Sequence, residues 1–329
     1  MKTIGFVISE KENEFRKALL PRDVTRIRNR HCLQFERGYA LHLGIADDEY
    51  EKLGCTVKPR QEVYHCDIVC SPKAPEPAEW ALFQNNQTIF GWLHAVQGRT
   101  TTDLLLEKGM TGIAWEDMYE DGRHCFWRNN EIAGEAAVLH AIRYLGRLAH
   151  GLDVAIIGRG NCARGAHRTF SQLGARIVSF DRRTEALLRK EVDKYDIIVN
   201  AVMWDVFRSD HILYKEDLGK MRPGSMIIDI SCDEGMGIES SQATTIADPV
   251  YMRDGIIHYV VDHTPALFSK TATEAISEVV AIYVDELVEN RLGACLKEAT
   301  VIKDGVILDS RVSKFQKRNA SNAQAQLAH

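Results

Sequence analysis

The stretch VAIIGRGNCARGAHRTFSQLGARIVSFDRR, residues 154–183, restricts this chain more than any other. An apolar run, Val154–Ile157, leads directly into Gly158, Gly160 and Ala163 in G-x-G-x-x-A spacing, and a helical pattern begins there. Gly158 permits a tight turn and Gly160 lets the backbone approach a pyrophosphate. Ala163, with Gly165 behind it, allows close packing of a helix on a strand. The helix start, at Asn161 and Cys162, offers N–H groups and the positive end of a dipole to phosphates. A second strand, Arg176–Phe180, ends on Asp181, which in such units accepts from ribose hydroxyls. The segment therefore predicts a dinucleotide site. Asp181 favours NAD(H), whereas Arg182 and Arg183 after it suit the 2′-phosphate of NADP(H). The two signals conflict.

The same alternation of short apolar runs and helical patterns fills most of the chain, which means βαβ units and parallel sheets. Before the fingerprint, the expected strands are Thr3–Ser9, Gln34–Ala40, Asp67–Ser71, Thr88–His94 and Thr111–Glu116, with a helix over Pro21–Asn29. Residues 119–130 are polar and turn-rich and are expected to form a loop. Residues 131–150 have small and apolar residues at spacings of three and four and are expected to form one long helix. After the fingerprint, Asp196–Ala201, Met226–Ile230 and Ile256–Val261 are Val/Ile-rich, as strands covered on both faces are. Thr271–Leu292 reads as an amphipathic helix, and 299–309 as a hairpin around Asp304–Gly305. The tail after Ser310 is polar and expected to fray.

At 329 residues the chain is too long for one small core. The expected fold is α/β, with two Rossmann-like parallel-sheet domains separated by a cleft. The first is discontinuous, 1–133 plus 267–329, and holds the substrate; the second, 134–266, binds the dinucleotide. A hydrophobic content of 45% excludes a disordered chain, and a net charge of −5 gives no general attraction to nucleic acid or anionic membranes. No apolar run approaches the roughly 20 residues of a membrane helix. The first residues, MKTIGFVISEKENEF, read as a strand rather than an export signal. The eight cysteines show no CxxC pair, and Cys66 and Cys70 lack zinc-site spacing. Buried free thiols in a reducing cytoplasm are expected, with no metal.

In an open parallel sheet, ligands bind at the carboxyl ends of the strands. Arg16 after the first strand, Lys73 in DIVCSPKAP and His94 in TIFGWLHAV are the polar candidates there. Taken singly, each could instead be a solvated charge or a core histidine. In the second half, Cys232 and Asp233 follow the strand in IIDISCDEG, and Val202 follows the strand ending at Ala201. Asp262, His263 and Thr264 follow the next strand, where loops commonly close over a cofactor.

Together, EFRKALLP (14–21), SPKAP (71–75), the strand ending in His94, EIAGEAAVL (131–139), the Gly158 fingerprint and residues 227–273 carry a resemblance. The chain resembles the alanine dehydrogenase / transhydrogenase α-subunit / saccharopine dehydrogenase superfamily over nearly its whole length. Within it, LLPRDV, DDEYEKLGC, GWLH, KYDIIVN and YVVDHTPAL are similar to the carboxyethylornithine synthase branch. That resemblance implies an opine-type oxidoreductase using NAD(P)H, with NADP(H) favoured. It would join a 2-oxo acid such as pyruvate to the amine of an ornithine- or lysine-like amino acid. It also implies a homo-oligomer, and no nucleic-acid or membrane partner.

Carried over residue by residue, the resemblance gives Arg16 and Lys73 the keto-acid carboxylate. Lys73 also polarises the carbonyl or imine. His94 becomes the acid/base, since an imidazole ordinarily titrates near neutrality. Asp233 orients the reacting group or the nicotinamide ribose. Gly158, Gly160, Asn161, Cys162, Ala163, Asp181, Arg182, Arg183, Val202, Cys232 and His263 would contact the cofactor. Three departures stand out: Asp181–Arg182 replaces a more purely cationic turn, His263 stands where Asn is usual, and GWLHAVQ lacks a Pro after the histidine. The alternatives are reductive amination with ammonia and a nucleotide-binding component without turnover. A pure binder would not need Arg16, Lys73 and His94 together.

Overall fold

The computed structural model describes residues 1–232 and 234–318. The strands of the leading part are β1 (Ile4–Phe6), β2 (Leu33–Glu36), β3 (Thr56–Lys58), β4 (Ile68–Ser71), β5 (Thr88–Gly91), β6 (Thr111–Ala114), β7 (Tyr119–Glu120) and β8 (Arg123–His124). Then come β9 (Asp153–Ile157), β10 (Arg176–Phe180), β11 (Ile197–Asn200), β12 (Met226–Asp229), β13 (Val250–Arg253) and β14 (Ile256–Tyr259), and finally β15 (Thr300–Lys303) and β16 (Val306–Ile307). They fall in two compact units: Met1–Phe126 with the chain from Ser269 on, and Trp127–Phe268. The divisions lie at 126/127 and 268/269, against sequence-based expectations of 133/134 and 266/267. The helix Trp127–Leu145 starts four residues before its expected first residue, inside the expected loop. Arg128 reaches along its surface to Glu131 (3.2 Å) and Glu135 (2.9 Å), which supports that first turn.

In the first unit the sheet order is β16-β15-β6-β5-β4-β1-β2-β3. The strands from β6 to β3 run parallel, and β15 joins β6 antiparallel. One face packs Phe6, Phe35 and Ile68 against Ile276, Val280 and Val284 of the helix Ser269–Val288. The other packs Val69 and Ile89 against Leu104 and Leu105 of the helix Arg99–Glu107. Both faces are dry, which is why these strands read as unbroken apolar runs. The expected strand over Thr3–Ser9 is only Ile4–Phe6, and the expected helix Pro21–Asn29 is only Pro21–Val24.

The segment before that helix forms neither strand nor helix, so its backbone needs other partners. The N–H groups of Lys17 and Leu20 donate to the hydroxyls of Thr273 (2.9 Å) and Ser277 (2.8 Å), and that of Ala18 donates to the Tyr39 hydroxyl (2.7 Å). The Ser277 hydroxyl itself donates to the buried Asp23 carboxylate at 2.6 Å.

The expected loop over 119–130 also contains a hairpin, β7–β8, turning on Asp121 (φ 48°) and Gly122 (φ 75°). Left-handed φ at both central residues is what an Asp-Gly hairpin turn requires. The hairpin expected around Asp304–Gly305 forms in the same way, with φ of 49° and 75°.

In the second unit the order is β10-β9-β11-β12-β14-β13, parallel except for β13, an antiparallel edge strand that the sequence reading missed. Ile156, Val199 and Ile228 pack on Ala137, Val138 and Ala141 of the helix Trp127–Leu145 and on Ala166 and Phe170 of the helix Asn161–Gln172. Gly165 corrects one expectation. A Cβ there would lie 1.9 Å from the Glu131 carbonyl oxygen, and one at Gly134 would lie 2.0 Å from that of Cys162. Gly165 therefore serves a helix–helix crossing, not helix–strand packing. Among the described residues no helix is long and apolar enough to cross a membrane. Cys32, Cys55, Cys66, Cys70 and Cys295 are buried free thiols.

Candidate active site

In the first unit, β1, β4, β5 and β6 lie side by side and parallel, so their carboxyl ends share one edge of the sheet. Neighbouring strand ends are about 4.8 Å apart. The chain leaving β4 carries Lys73, the chain leaving β5 carries His94, and the chain leaving β6 carries Glu116. Close strand packing depends on Gly91, since a Cβ there would lie 2.1 Å from the Ser71 carbonyl oxygen.

Arg16 is only 4% exposed. The Glu14 carboxylate accepts from its Nε (2.8 Å) and a terminal nitrogen (2.5 Å), and also from its backbone N–H (3.0 Å). Its guanidinium carbon lies 5.2 Å from the centre of the Trp92 ring, two residues before His94. A fork clamped by a carboxylate and stacked on an indole is fixed in orientation. Arg16 is thereby joined to the end of β5. Lys73 is half-buried. His94 is exposed and takes a left-handed backbone, φ 47°.

Three residues here escaped sequence reading. Glu116 accepts the backbone N–H groups of Leu93 (3.2 Å) and His94 (2.5 Å), and burial pushes its carboxyl up to about 7. Glu14 is the partner of Arg16. Lys17, 2% exposed, places its ammonium 5.3 Å from the centre of the Tyr39 ring. Burial lowers its pKa to about 8 against the opposing pull of Glu14 and Glu36.

In the second unit, Gly158 has φ 111°, and a Cβ there would lie 2.7 Å from the Ala201 carbonyl oxygen and 3.3 Å from Val202. A Cβ on Gly160 would meet nothing within 4 Å. Gly160 is the N-cap of the helix Asn161–Gln172, and no side chain caps it. An open approach to the first-turn N–H groups fits a pyrophosphate. Ala163 is buried beneath, and burial pushes the half-buried Cys162 thiol up to about 11. The side chain of Asn161 is taken up by Arg164.

Asp181 is already engaged. One of its oxygens lies 3.1 Å from Arg159, and the other accepts the Arg183 N–H at 3.0 Å. Arg182 and Arg183 are exposed, and Arg182 lies 4.0 Å from Asp205.

The carbonyl of Val202 accepts the Ser231 hydroxyl, which ties the turns after β11 and β12 together. Cys232 has φ 55°. Its N–H donates to the buried Asp229 carboxylate at 3.3 Å, as do those of Ser231 (3.2 Å) and the Asn200 amide (2.9 Å). Burial raises the Asp229 carboxyl above its usual range. His263 is buried, with its Nδ1 on the Asp262 carboxylate. Asp233 lies outside the described residues. The fold thus gathers Gly158, Gly160, Ala163 and Val202 at one strand–helix crossing, with Asp181 at the end of the neighbouring strand β10.

These features define a two-unit α/β protein with a glycine turn of dinucleotide-site form in one unit and basic residues following the parallel strands of the other. The family models described as alanine dehydrogenase/PNT, N-terminal domain, and alanine dehydrogenase/PNT, C-terminal domain, match residues 6–126 and 134–313. The chain belongs to the alanine dehydrogenase/PNT family, and it is an NAD(P)-dependent oxidoreductase. It is 32% identical over 298 residues to an N(5)-(carboxyethyl)ornithine synthase of Clostridium botulinum, covering 85% of this chain and 93% of that protein. It is 25% identical over 342 residues to alanine dehydrogenase 1 of Staphylococcus aureus, covering 92% of each. A solved L-alanine dehydrogenase superposes with a TM-score of 0.81 at 25% identity, over 96% of this chain and 99% of that one.

Proposed function

We propose that this enzyme reduces the imine formed between a 2-oxo acid, pyruvate above all, and the side-chain amine of an ornithine- or lysine-like amino acid, with NADPH as reductant. What supports this reading is that Lys73 and His94 lie in the chain leaving the carboxyl ends of the neighbouring parallel strands β4 and β5, while Arg16, held by Glu14, lies against Trp92 two residues before His94. A planar fork suits a carboxylate, so Arg16 holds that end of the keto acid. Lys73 adds a positive charge near the carbonyl and polarises it. His94 gives a proton to the hydroxyl that leaves as the carbinolamine collapses. Bound at the Gly158–Gly160 turn, the reduced nicotinamide nucleotide supplies the hydride. The balance is one keto acid, one ammonium, one NADPH and one proton, giving a secondary ammonium, water and NADP+. Asp233 orients the reacting group or the nicotinamide ribose in this scheme, and His263 contacts the cofactor.

NADPH is favoured over NADH because the Asp181 carboxylate is engaged by Arg159 and the Arg183 N–H. A ribose hydroxyl would have to compete for it, whereas the guanidinium groups of Arg159, Arg182 and Arg183 suit a 2′-phosphate. A homo-oligomer acting on small molecules completes the proposal.

The test is NADPH oxidation with pyruvate, adding ammonia or single amino acids. Oxidation with an ornithine- or lysine-like amine, and a product heavier than the amine by one carboxyethyl group, is the expected result. Oxidation with ammonia alone would replace this reading by reductive amination. His94→Ala should lower turnover about 10²–10⁴-fold with cofactor binding kept; unchanged turnover would remove His94 from the mechanism.

A further inference from the structure

We infer that Glu116 is the positioning residue for His94, holding the left-handed turn that presents the imidazole. This rests on the reading of His94 as the proton donor. His94 is a non-glycine residue at φ 47°, a conformation that costs roughly 1–2 kcal/mol for an L-residue unless its surroundings enforce it. The Glu116 side chain supplies that enforcement from the turn that follows the neighbouring strand β6. One carboxyl oxygen accepts from His94 N–H at 2.5 Å and the other from Leu93 N–H at 3.2 Å.

The turn is closed from its other side as well. Gly98 N–H donates to the His94 carbonyl at 2.7 Å, and the Gln316 amide donates to the carbonyls of Ala95 (2.8 Å) and Val96 (3.1 Å). Glu116 is fixed in turn, because its own carbonyl lies 3.2 Å from Nε2 of His124. With His94 N–H held by Glu116 and the His94 carbonyl held by Gly98 N–H, the peptide units on both sides of the His94 Cα are fixed, and with them the direction in which its side chain leaves the backbone. Glu116 touches no reacting atom in this scheme and acts only through His94.

Glu116→Gln nearly preserves volume but replaces one acceptor oxygen by an NH2 group facing an N–H donor. A displacement of about 1 Å at a catalytic group costs up to about 100-fold, so Glu116→Gln should lower kcat about 10- to 100-fold with the KM for NADPH unchanged. The decisive comparison is made in the His94→Ala background, where Glu116→Gln should change the residual kcat by less than about twofold, since coupled residues are not additive. Equal losses in both backgrounds, or a kcat for Glu116→Gln within twofold of wild type, would overturn the positioning role.

A second readout needs no turnover and no Glu116 variant. In the 15N-histidine-labelled full chain, the His94 amide, assigned by its absence in His94→Ala, should resonate far downfield and exchange slowly. An amide in the ordinary range with fast exchange would overturn the proposal even if His94 is catalytic. A His94→Ala enzyme with full activity beside a downfield amide would instead overturn the reading of His94 and with it any role for Glu116 in turnover.

Discussion

Lys17 gives a stability prediction that follows from burial alone. Its ammonium is withdrawn from water beneath Tyr39, and burial lowers its pKa from 10.5 to about 8. At about 1.4 kcal/mol per pH unit, that span corresponds to about 3 kcal/mol, borne by the folded state whenever the amine is charged. Between pH 8 and 10.5 the unfolded chain holds this proton and the folded chain does not, so stability rises with pH across that window. The full cost is present below pH 8. Lys17→Met keeps a flexible stem of similar length against Tyr39 and removes the charge. The variant should be more stable than wild type by about 2–3 kcal/mol at pH 7, with the gap closing as pH rises from 8 to 10. Urea denaturation followed by tryptophan emission measures this, because Trp80, Trp92 and Trp115 all lie in the same unit as Lys17. Cysteines and tyrosines also titrate in this range, but they cancel in the difference between the two proteins. A gap that stays constant from pH 7 to 10, or a less stable variant at pH 7, would refute the reasoning.

Three further outcomes are expected. Arg159→Ala should weaken NADPH relative to NADH about fivefold, near the 1 kcal/mol of an exposed ion pair, and the effect should shrink at high salt; the KM ratio for the two nucleotides reads it. Gly165→Val drives a side chain into the Glu131 carbonyl and should cost more than the 1–3 kcal/mol of ordinary overpacking, seen as a melting temperature lowered by several degrees. Asp229→Leu strips the acceptor from Asn200, Ser241 and the N–H groups of Ser231 and Cys232. At about 1–3 kcal/mol for each buried donor left unpaired, the variant should lose stability, seen as a melting temperature lowered by several degrees.

The parts of this molecule that were legible in the sequence are those whose cause is local. Gly158, Gly160 and Ala163 act within a few residues of one another, so their spacing could be read directly. The Asp304–Gly305 hairpin was readable for the same reason, and Asp121–Gly122 carried the same signal unnoticed in a polar stretch. The β4 and β5 strands were visible because both of their faces are apolar. What stayed hidden depends on a neighbour distant in sequence. Glu116 looks like a strand-end charge until β5 lies beside it, and Lys17 looks solvated until Tyr39 covers it. Gly165 looked like a strand-packing glycine because nothing near it in sequence reveals the helix carrying Glu131. The edge strand β13, half-exposed along most of its length, lacks the apolar run that marked the others. Arg159 looks like a solvated turn residue until the end of β10 brings Asp181 to within 3.1 Å of it.

The irregular stretch carrying Arg16 and Lys17 is secured by hydroxyls from Thr273 and Ser277, partners 256 and 257 positions downstream. During synthesis at about 5–20 residues per second, that stretch waits roughly 10 to 50 seconds for the helix that completes it. The intervening unit, Trp127–Phe268, is continuous in the chain and has left the ribosome's active centre by then. The order of assembly on the ribosome is therefore inverted: the middle of the polypeptide can mature first, while its beginning lacks these partners until the helix Ser269–Val288 emerges.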